Sequence, residues 1–244
     1  MKRGFFRGPV AAVLMLLALT GCVSMPKQQA FNRDAHGSVK TIAVLETHKT
    51  NTSVFMLHHP GVNFGLIGGL IAAGDQASKE KKFHATMQAA NFEPLAYFRE
   101  RLDAHMSERG YSLVWPATQI DAKKTPRTSF GLRKSYAAVQ GADAQLDVNF
   151  GFIGYAAAGA SDGSPYRPTA TIGARLVSPD GKQNYYTDYF AYNNVFNMAD
   201  AVALNADQQY SYPDFDDLHK AGPQSIEGLK AAIDSVAAEL ARQL

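Results

Sequence analysis

Apolar residues recur along the first half of the chain with periods that predict strands and helices in alternation. Residues 39–46, Val-Lys-Thr-Ile-Ala-Val-Leu-Glu, form a β-branched apolar run typical of a buried strand. A helix capped by Asn91 and ended by Gly110 is predicted by one apolar stripe: Leu95, Phe98, Leu102 and Met106. Residues 111–115 predict a short strand, and residues 132–140 predict a second helix.

The second half of the chain predicts three strands in a meander and then a helix. Residues 144–155 alternate, with Asp147 and Asn149 on one face and four apolar side chains on the other: Leu146, Val148, Phe150 and Phe152. Residues 170–177 and 183–192 also alternate and are joined by a Ser-Pro-Asp-Gly turn. Residues 193–222 have no period and predict a long loop. Ser225 is expected to cap a last helix with this stripe: Ile226, Leu229, Ile233, Val236 and Leu240.

These elements predict one α/β (α+β) domain over residues 39–244. We expect a central mixed sheet of about five strands with helices packed on it, in the order β-α-β-α-β-β-β-α.

A glycine-rich insertion at residues 61–74 interrupts this order. Small residues recur there at positions 61, 65, 69 and 73, so a helix would carry them on one face, where another backbone can approach closely. Gly61, Gly65 and Gly69 are therefore candidate interaction residues, for lipid insertion or for self-association. The alternative is a buried loop or short helix that packs on the sheet.

The amino-terminal residues have the pattern of an export signal. Lys2, Arg3 and Arg7 precede an apolar run from Val10 to Leu19, which small residues follow. A membrane-spanning helix needs about 20 apolar residues, so this run predicts a removable signal over residues 1–21.

The signal closes on Leu19-Thr20-Gly21-Cys22, which resembles the lipobox of bacterial lipoproteins. The resemblance implies a diacylglyceryl group on the Cys22 thiol, cleavage before Cys22, and acylation of the new amino terminus, for example with palmitate. Two or three acyl chains hold a protein stably on a membrane. Val23, in place of the Asp that often marks inner-membrane retention in that family, implies an outer-membrane location facing the periplasm. The alternative is an ordinary secretory signal that contains a cysteine.

The charge and the cysteine content of the chain bear on nucleic-acid binding, on disulfide bonds and on metal sites. The whole chain has formal net charge +2, but the predicted signal carries three basic and no acidic residues, which leaves 21 basic and 22 acidic residues. That balance gives no indication of nucleic-acid binding. Cys22 is the only cysteine, so neither a disulfide framework nor a cysteine metal site is predicted. The polar residues 22–38 predict a flexible tether.

The body of the chain resembles a family of small periplasmic lipoproteins in several stretches. These are residues 108–116 (Glu-Arg-Gly-Tyr-Ser-Leu-Val-Trp-Pro), Gly-Ala-Asp-Ala at 141–144, a strand ending in Gly-Tyr at 155, and 174–182 (Ala-Arg-Leu-Val-Ser-Pro-Asp-Gly-Lys). The family's α/β domain is similar to the amino-terminal domain of the Tol propeller protein and to the curli secretion lipoprotein. The resemblance implies a non-catalytic accessory role in the envelope, through protein contacts, with a homo-oligomer as one option and no cofactor.

Three patterns that suggest chemistry have simpler explanations. Ser161 lies in a Gly-x-Ser-x-Gly sequence with His219 downstream, but the following helix of a serine hydrolase is not predicted. His58 and His59 are adjacent and point to opposite sides of an extended chain, and the acidic residues near 214–217 fit no calcium loop, so no metal is predicted.

Tyrosines are dense in residues 185–192, and tyrosine is enriched at protein interfaces. Tyr185 and Tyr189 are therefore candidate interaction residues. We expect an envelope assembly or interaction component that contacts a protein partner. The alternatives are a glycan or peptidoglycan binder, with an aromatic cleft at these tyrosines, and a serine hydrolase.

Overall fold

The computed structural model describes residues 26–45, 52–115, 125–161 and 163–244. They form one mixed sheet with helices packed on it, which confirms the predicted α/β (α+β) class. The seven strands in these ranges are β1 (Thr41–Val44), β2 (Ser53–His58), β3 (Ser112–Val114), β4 (Ala144–Gly159), β5 (Arg167–Val177), β6 (Asn184–Tyr192) and β7 (Val202–Leu204). The helices are α1 (Arg33–His36), α2 (Gly65–Ala89), α3 (Pro94–Glu108), α4 (Phe215–Ala221) and α5 (Pro223–Gln243), with 3-10 turns at Pro60–Phe64 and Gln208–Tyr210.

Strand β4 is the centre of the sheet, whose order is β3-β1-β4-β5-β6-β7. It has 16 residues, so one edge has room for two parallel partners in succession. β1 pairs with residues 144–146 and β2 with residues 154–159 of that edge. The other edge pairs with β5, and β4, β5 and β6 form an antiparallel meander.

Helices α3 and α5 cover one face of the sheet because their apolar stripes match the apolar side chains of β4. Phe98 of α3 meets Phe150 of β4 edge to face, with ring centroids 4.9 Å apart. The two helices are also joined side by side, since Nε2 of His105 lies 2.8 Å from a carboxylate oxygen of Asp234. In α3, the predicted stripe is buried at Phe98, Leu102 and Met106. In α5, all five residues of the predicted stripe are buried.

A β-bulge changes which face Phe152 occupies. The register with β5 shifts between Phe150 and Phe152, so Gly151 is an extra residue in β4. Beyond the bulge, Ile153 and Tyr155 continue the helix-covered face, and Phe152 points to the opposite face, where its ring lies 5.1 Å from that of Phe196. The predicted grouping of Phe152 with Leu146, Val148 and Phe150 is therefore wrong. A pattern of period two cannot reveal an inserted residue.

The helix predicted over residues 132–140 is also absent from the structure, where this stretch is irregular. Its backbone N–H and C=O groups form hydrogen bonds with polar side chains on the sheet face opposite the helices. In a helix, the same backbone groups would bond to one another instead. We call residues 125–140 the covering segment.

Two further predictions near the carboxyl end need correction. Residues 193–222 are not one loop, since they contain β7, a 3-10 turn and α4. Ser225 does not cap the last helix, because α5 begins at Pro223 and the buried Ser225 hydroxyl donates to the carbonyl of Gly222. Proline is favoured at the first helical position, so the sequence did contain the correct start signal.

Part of the predicted tether over residues 22–38 belongs to the domain. Gln29 and Thr187 of β6 exchange two backbone hydrogen bonds of 2.9 Å. Asn32 caps α1 by accepting from the N–H groups of Asp34 and Ala35, and the guanidinium of Arg33 donates to the carbonyl of Leu244 at 3.0 Å. Residues from Gln29 onward are thus fixed along the β6 edge and the end of α5.

Two helical glycines offer a matched test of this packing. A Cβ on Gly228 of α5 would lie 2.2 Å from the Tyr155 hydroxyl and 2.9 Å from Tyr210, whereas a Cβ on Gly69 of α2 would meet nothing within 4 Å. Gly228→Ala should lower the free energy of unfolding by about 1–3 kcal/mol because it overpacks the core. Gly69→Ala should raise it by up to about 1 kcal/mol through helix propensity. Urea denaturation measures both, and equal effects of the same sign would contradict the packing of α5 against Tyr155.

Candidate functional sites

A cleft of about 810 Å³ lies on the sheet face opposite α3 and α5. Strands β4, β5 and β6 form its floor, the covering segment forms one wall, and residues 196–198 with β2 form the other. Small-molecule sites usually have volumes of about 300–1,000 Å³ and largely apolar linings, so the cleft is of suitable size for a ligand.

The walls of the cleft are aromatic. Phe196 lies 5.1 Å from Phe152 and 6.0 Å from Phe55 between ring centroids, and Phe130 meets Tyr189 edge to face at 5.5 Å. Phe152 reaches this cluster only because the bulge at Gly151 turns it away from the helices. Bulges often redirect a side chain next to a functional site.

Below the cleft, the buried carboxylate of Asp147 holds the covering segment against the sheet. It accepts hydrogen bonds from the backbone N–H of Arg133 at 2.7 Å, from the Arg133 guanidinium, and from the Tyr136 hydroxyl at 3.1 Å. Nη1 of Arg127 lies 3.9 Å from the same carboxylate. Burial, and then the charge of Asp147, raise the pKa of Tyr136 well above its usual range, so that hydroxyl stays a donor.

The two neighbouring polar residues of β4 bind the covering segment as well. Gln145 donates to the carbonyls of Ala137 and Pro179, and Asn149 donates to that of Phe130 at 3.3 Å. Gly131 has φ of +80°, and a Cβ there would overlap the Asn149 amide, so only glycine fits. Gln145, Asp147 and Asn149 alternate along β4, and they hold the covering segment on the sheet instead of facing solvent.

Two hydroxyl groups at the cleft have no hydrogen-bond partner among the described residues, and these are Tyr189 Oη and Thr128 Oγ1. Both atoms are buried, and the Tyr189 side chain is 1% exposed. Burial raises the pKa of Tyr189 to about 12, so it is a neutral donor at physiological pH. A buried hydroxyl without a partner costs about 1–3 kcal/mol, so an acceptor that reached either group would recover this free energy.

A second candidate site is an exposed apolar surface on α2. Ile67, Leu70 and Ile71 are 74%, 67% and 63% exposed, and they lie three and four residues apart on one helix face together with Gly74. We call these four residues the α2 surface. Core helices bury such a stripe, so this helix presents its apolar side outward.

Contacts further along α2 hold the helix in place without covering the α2 surface. Lys79 lies 2.6 Å from Asp75 and 5.8 Å above the rings of Tyr166 and Phe215. Phe83 is buried against Tyr155, with ring centroids 5.6 Å apart. The first ten residues of the helix, Gly-Leu-Ile-Gly-Gly-Leu-Ile-Ala-Ala-Gly, contain no polar side chain.

The structure separates the candidate interaction residues of the sequence. Gly61 lies in the 3-10 turn and Gly65 begins α2, and half-buried Gly69 faces a crevice between α2 and β2. The four-residue spacing thus marks a different side of the helix, and it missed Ile67, Leu70 and Ile71. Their spacing of three and four was readable from the sequence.

The tyrosines of β6 also separate. Tyr185 stacks on His36 of the amino-terminal segment at 3.9 Å, and Tyr186 faces α5, where its hydroxyl donates to Gln243. Only Tyr189 of the predicted pair lies in the cleft, whose other rings are phenylalanines.

Ser161 and His219 do not contact each other in the described structure. Ser161 lies at the β4–β5 turn, within 3.1 Å of the Ser164 hydroxyl, while His219 stacks on Phe215 of α4. His59 accepts from the Gly61 N–H, and Asp214 caps α4. Among the described residues there is no group of three or more His, Cys, Asp or Glu side chains arranged to hold a metal.

Leu19, Thr20, Gly21 and Cys22 lie outside the described residues, so the lipobox stays a prediction. In the part of the chain that the structure covers, no helix is both long and apolar enough to cross a membrane.

No family model matches the chain, and no curated protein matches it. One similar solved structure is the lipoprotein GNA1162 from Neisseria meningitidis, with 15% sequence identity over 77% of this chain and 98% of that chain and a TM-score of 0.29.

The buried carboxylate provides a test of how the cleft is held together. Asp147→Asn should lower the free energy of unfolding by about 3–5 kcal/mol, because it removes the buried charge that pairs with the Arg133 guanidinium. Asp217→Asn is the matched control, since Asp217 makes an exposed ion pair with Lys220 and should change stability by less than about 1 kcal/mol. Urea denaturation compares the two, and a small effect at Asp147 would contradict its role as the anchor of the covering segment.

Proposed function

We propose that this protein is a lipid-anchored, non-catalytic component of the bacterial envelope. It is held at the periplasmic side of the outer membrane by acyl groups on Cys22, and it associates with a second copy of itself through the α2 surface. The observation that carries the proposal is the exposure of Ile67, Leu70 and Ile71, at 74%, 67% and 63%. Exposed apolar side chains clustered on one face usually mark an interaction site.

Glycine on the same helix favours a close contact with another helix. A Cβ added to Gly74 would meet nothing within 4 Å, so the fold of the monomer does not require glycine at that position of the α2 surface. Glycine there weakens the helix by about 1 kcal/mol relative to alanine. Small residues beside large apolar ones let two helix backbones approach closely, which is the arrangement expected for self-association.

The anchor is consistent with the place where the domain begins. Gln29 is fixed to β6, so at most seven residue steps, roughly 25 Å when extended, separate it from Cys22. An acylated Cys22 would therefore hold the domain close to the lipid surface.

The first test concerns the anchor. A fatty-acid probe should label the wild-type chain and the Ser24→Ala control, and both should fractionate with the outer membrane. Cys22→Ala should lose the label and become soluble in the periplasm, and Val23→Asp should shift the labelled chain to the inner membrane. Membrane localisation of Cys22→Ala identical to wild type would overturn the proposed anchor.

The second test concerns the α2 surface. In the lipidated chain the Cys22 thiol is blocked, so Leu70→Cys supplies the one free thiol and should form a disulfide-linked dimer in membranes. Ala96→Cys, exposed on α3, is the matched control and should stay monomeric. The triple variant Ile67→Gln, Leu70→Gln and Ile71→Gln should abolish self-association in crosslinking with an amine reagent, with a change in unfolding free energy of under about 1 kcal/mol.

Two results would count against self-association. One is a wild-type chain that stays monomeric at every concentration and shows no Leu70→Cys dimer. The other is binding of the Cys22→Ala chain to liposomes that the triple variant loses, because that result would assign the α2 surface to lipid instead of a second copy.

A further inference from the structure

We propose that the aromatic cleft binds an anionic amphiphile, a molecule with an acyl chain as its apolar body and a carboxylate or phosphate as its head. This inference does not depend on the α2 surface or on the anchor. It depends on the shape of the cleft, on its two hydroxyl groups without partners, and on the charge around it.

The apolar part of the cleft fits a flexible chain. Five half-buried side chains contribute to its lining: Phe55, Phe130, Phe152, Phe196 and Met198. The Phe196 ring is tilted relative to Phe55 and edge-to-face to Phe152, so these three rings do not form one flat surface. Glycan sites use exposed aromatic faces as flat platforms for sugar rings, so the arrangement favours an acyl chain.

The polar part of the cleft fits an acceptor head. Tyr189 Oη and Thr128 Oγ1 are buried at the cleft, and neither has a hydrogen-bond partner among the described residues. The Tyr189 ring lies over Gly173 of β5, where a Cβ would be 2.7 Å from the ring, so the position of the hydroxyl is fixed by the sheet. Anionic oxygens accept the strongest hydrogen bonds from such donors.

The charge at the cleft favours an anion over a neutral or cationic head. Its lining includes Arg127 and has no Asp or Glu. Immediately below, Asp147 is the one buried carboxylate among the described residues, and it is shared between Arg127 and Arg133. Arg175 of β5 adds a further positive charge near Tyr136 and Tyr189. The described lining thus offers a head group a positive charge and hydroxyl donors, and it contains no carboxylate that would repel an anion.

Calorimetric titration of the full chain carrying Cys22→Ala tests the proposal, because this chain has no acyl group of its own. Laurate and lysophosphatidylglycerol, both below their micelle concentrations, are the two anionic probes, and they distinguish a free fatty acid from a lipid as the source of the acyl chain. Monolaurin is the neutral probe with the same chain as laurate. We expect at least one anionic probe to bind, and monolaurin to bind at least about tenfold more weakly than laurate.

Two variants on the same strand separate binding from folding. Tyr189→Phe should weaken binding of the anionic probe about tenfold, through the loss of one hydrogen bond to a charged oxygen, while its Tm stays equal or rises. Tyr186→Phe is the matched control, because its hydroxyl faces α5 and donates to Gln243 at 2.9 Å. That variant should lower the Tm and leave binding unchanged.

Other outcomes overturn the proposal. These are the absence of binding by both anionic probes, equal affinity for laurate and monolaurin, unchanged affinity in Tyr189→Phe, or binding only of a muramyl glycan fragment, which would assign the cleft to a glycan.

Discussion

Burial of the Asp147 carboxylate is the constraint on which the second face of the sheet depends. A buried charge is tolerated only when it is paired and hydrogen-bonded, and the covering segment donates hydrogen bonds to this carboxylate. The covering segment supplies those partners through Arg133 and Tyr136, and it stays irregular because its polar groups turn toward the sheet. The walls of the cleft follow from this, since the same segment places Phe130 and Thr128 above β4 and β5.

The sequence predicted most of the helix-covered face, because its signals are local and regular. The stripes of α3 and α5 and the alternation of β5 and β6 have the periods that such elements need in order to bury one side. The second face has no such period. Its organisation depends on contacts between distant residues, such as Asp147 with Arg133 and Phe152 with Phe196, and on an inserted residue at Gly151 that shifts the alternation.

For the candidate sites too, the sequence shows the spacing of the residues but not the surface that each residue occupies. The apolar spacing of Ile67, Leu70 and Ile71 was present in the sequence, but whether a stripe is buried or exposed depends on what packs against it. Tyr185, Tyr186 and Tyr189 show the same limit, since three neighbours on one strand meet the amino-terminal segment, α5 and the cleft. Composition identified the right strand as rich in contacts, and only the fold assigned each ring to a surface.

Strand β2 connects the two surfaces and explains why both exist in one domain. It pairs with β4 only beyond the bulge, at residues 154–159, so it extends the sheet beyond β1 along the same edge of β4. One side of β2 contributes Phe55 to the cleft, and the other buries Val54 and borders the crevice beneath α2. Helix α2 follows this strand and packs beside it, and no neighbour among the described residues covers Ile67, Leu70 and Ile71 at the beginning of the helix. The length of β4 therefore leads both to a cleft with an aromatic wall and to an apolar helix face in contact with solvent.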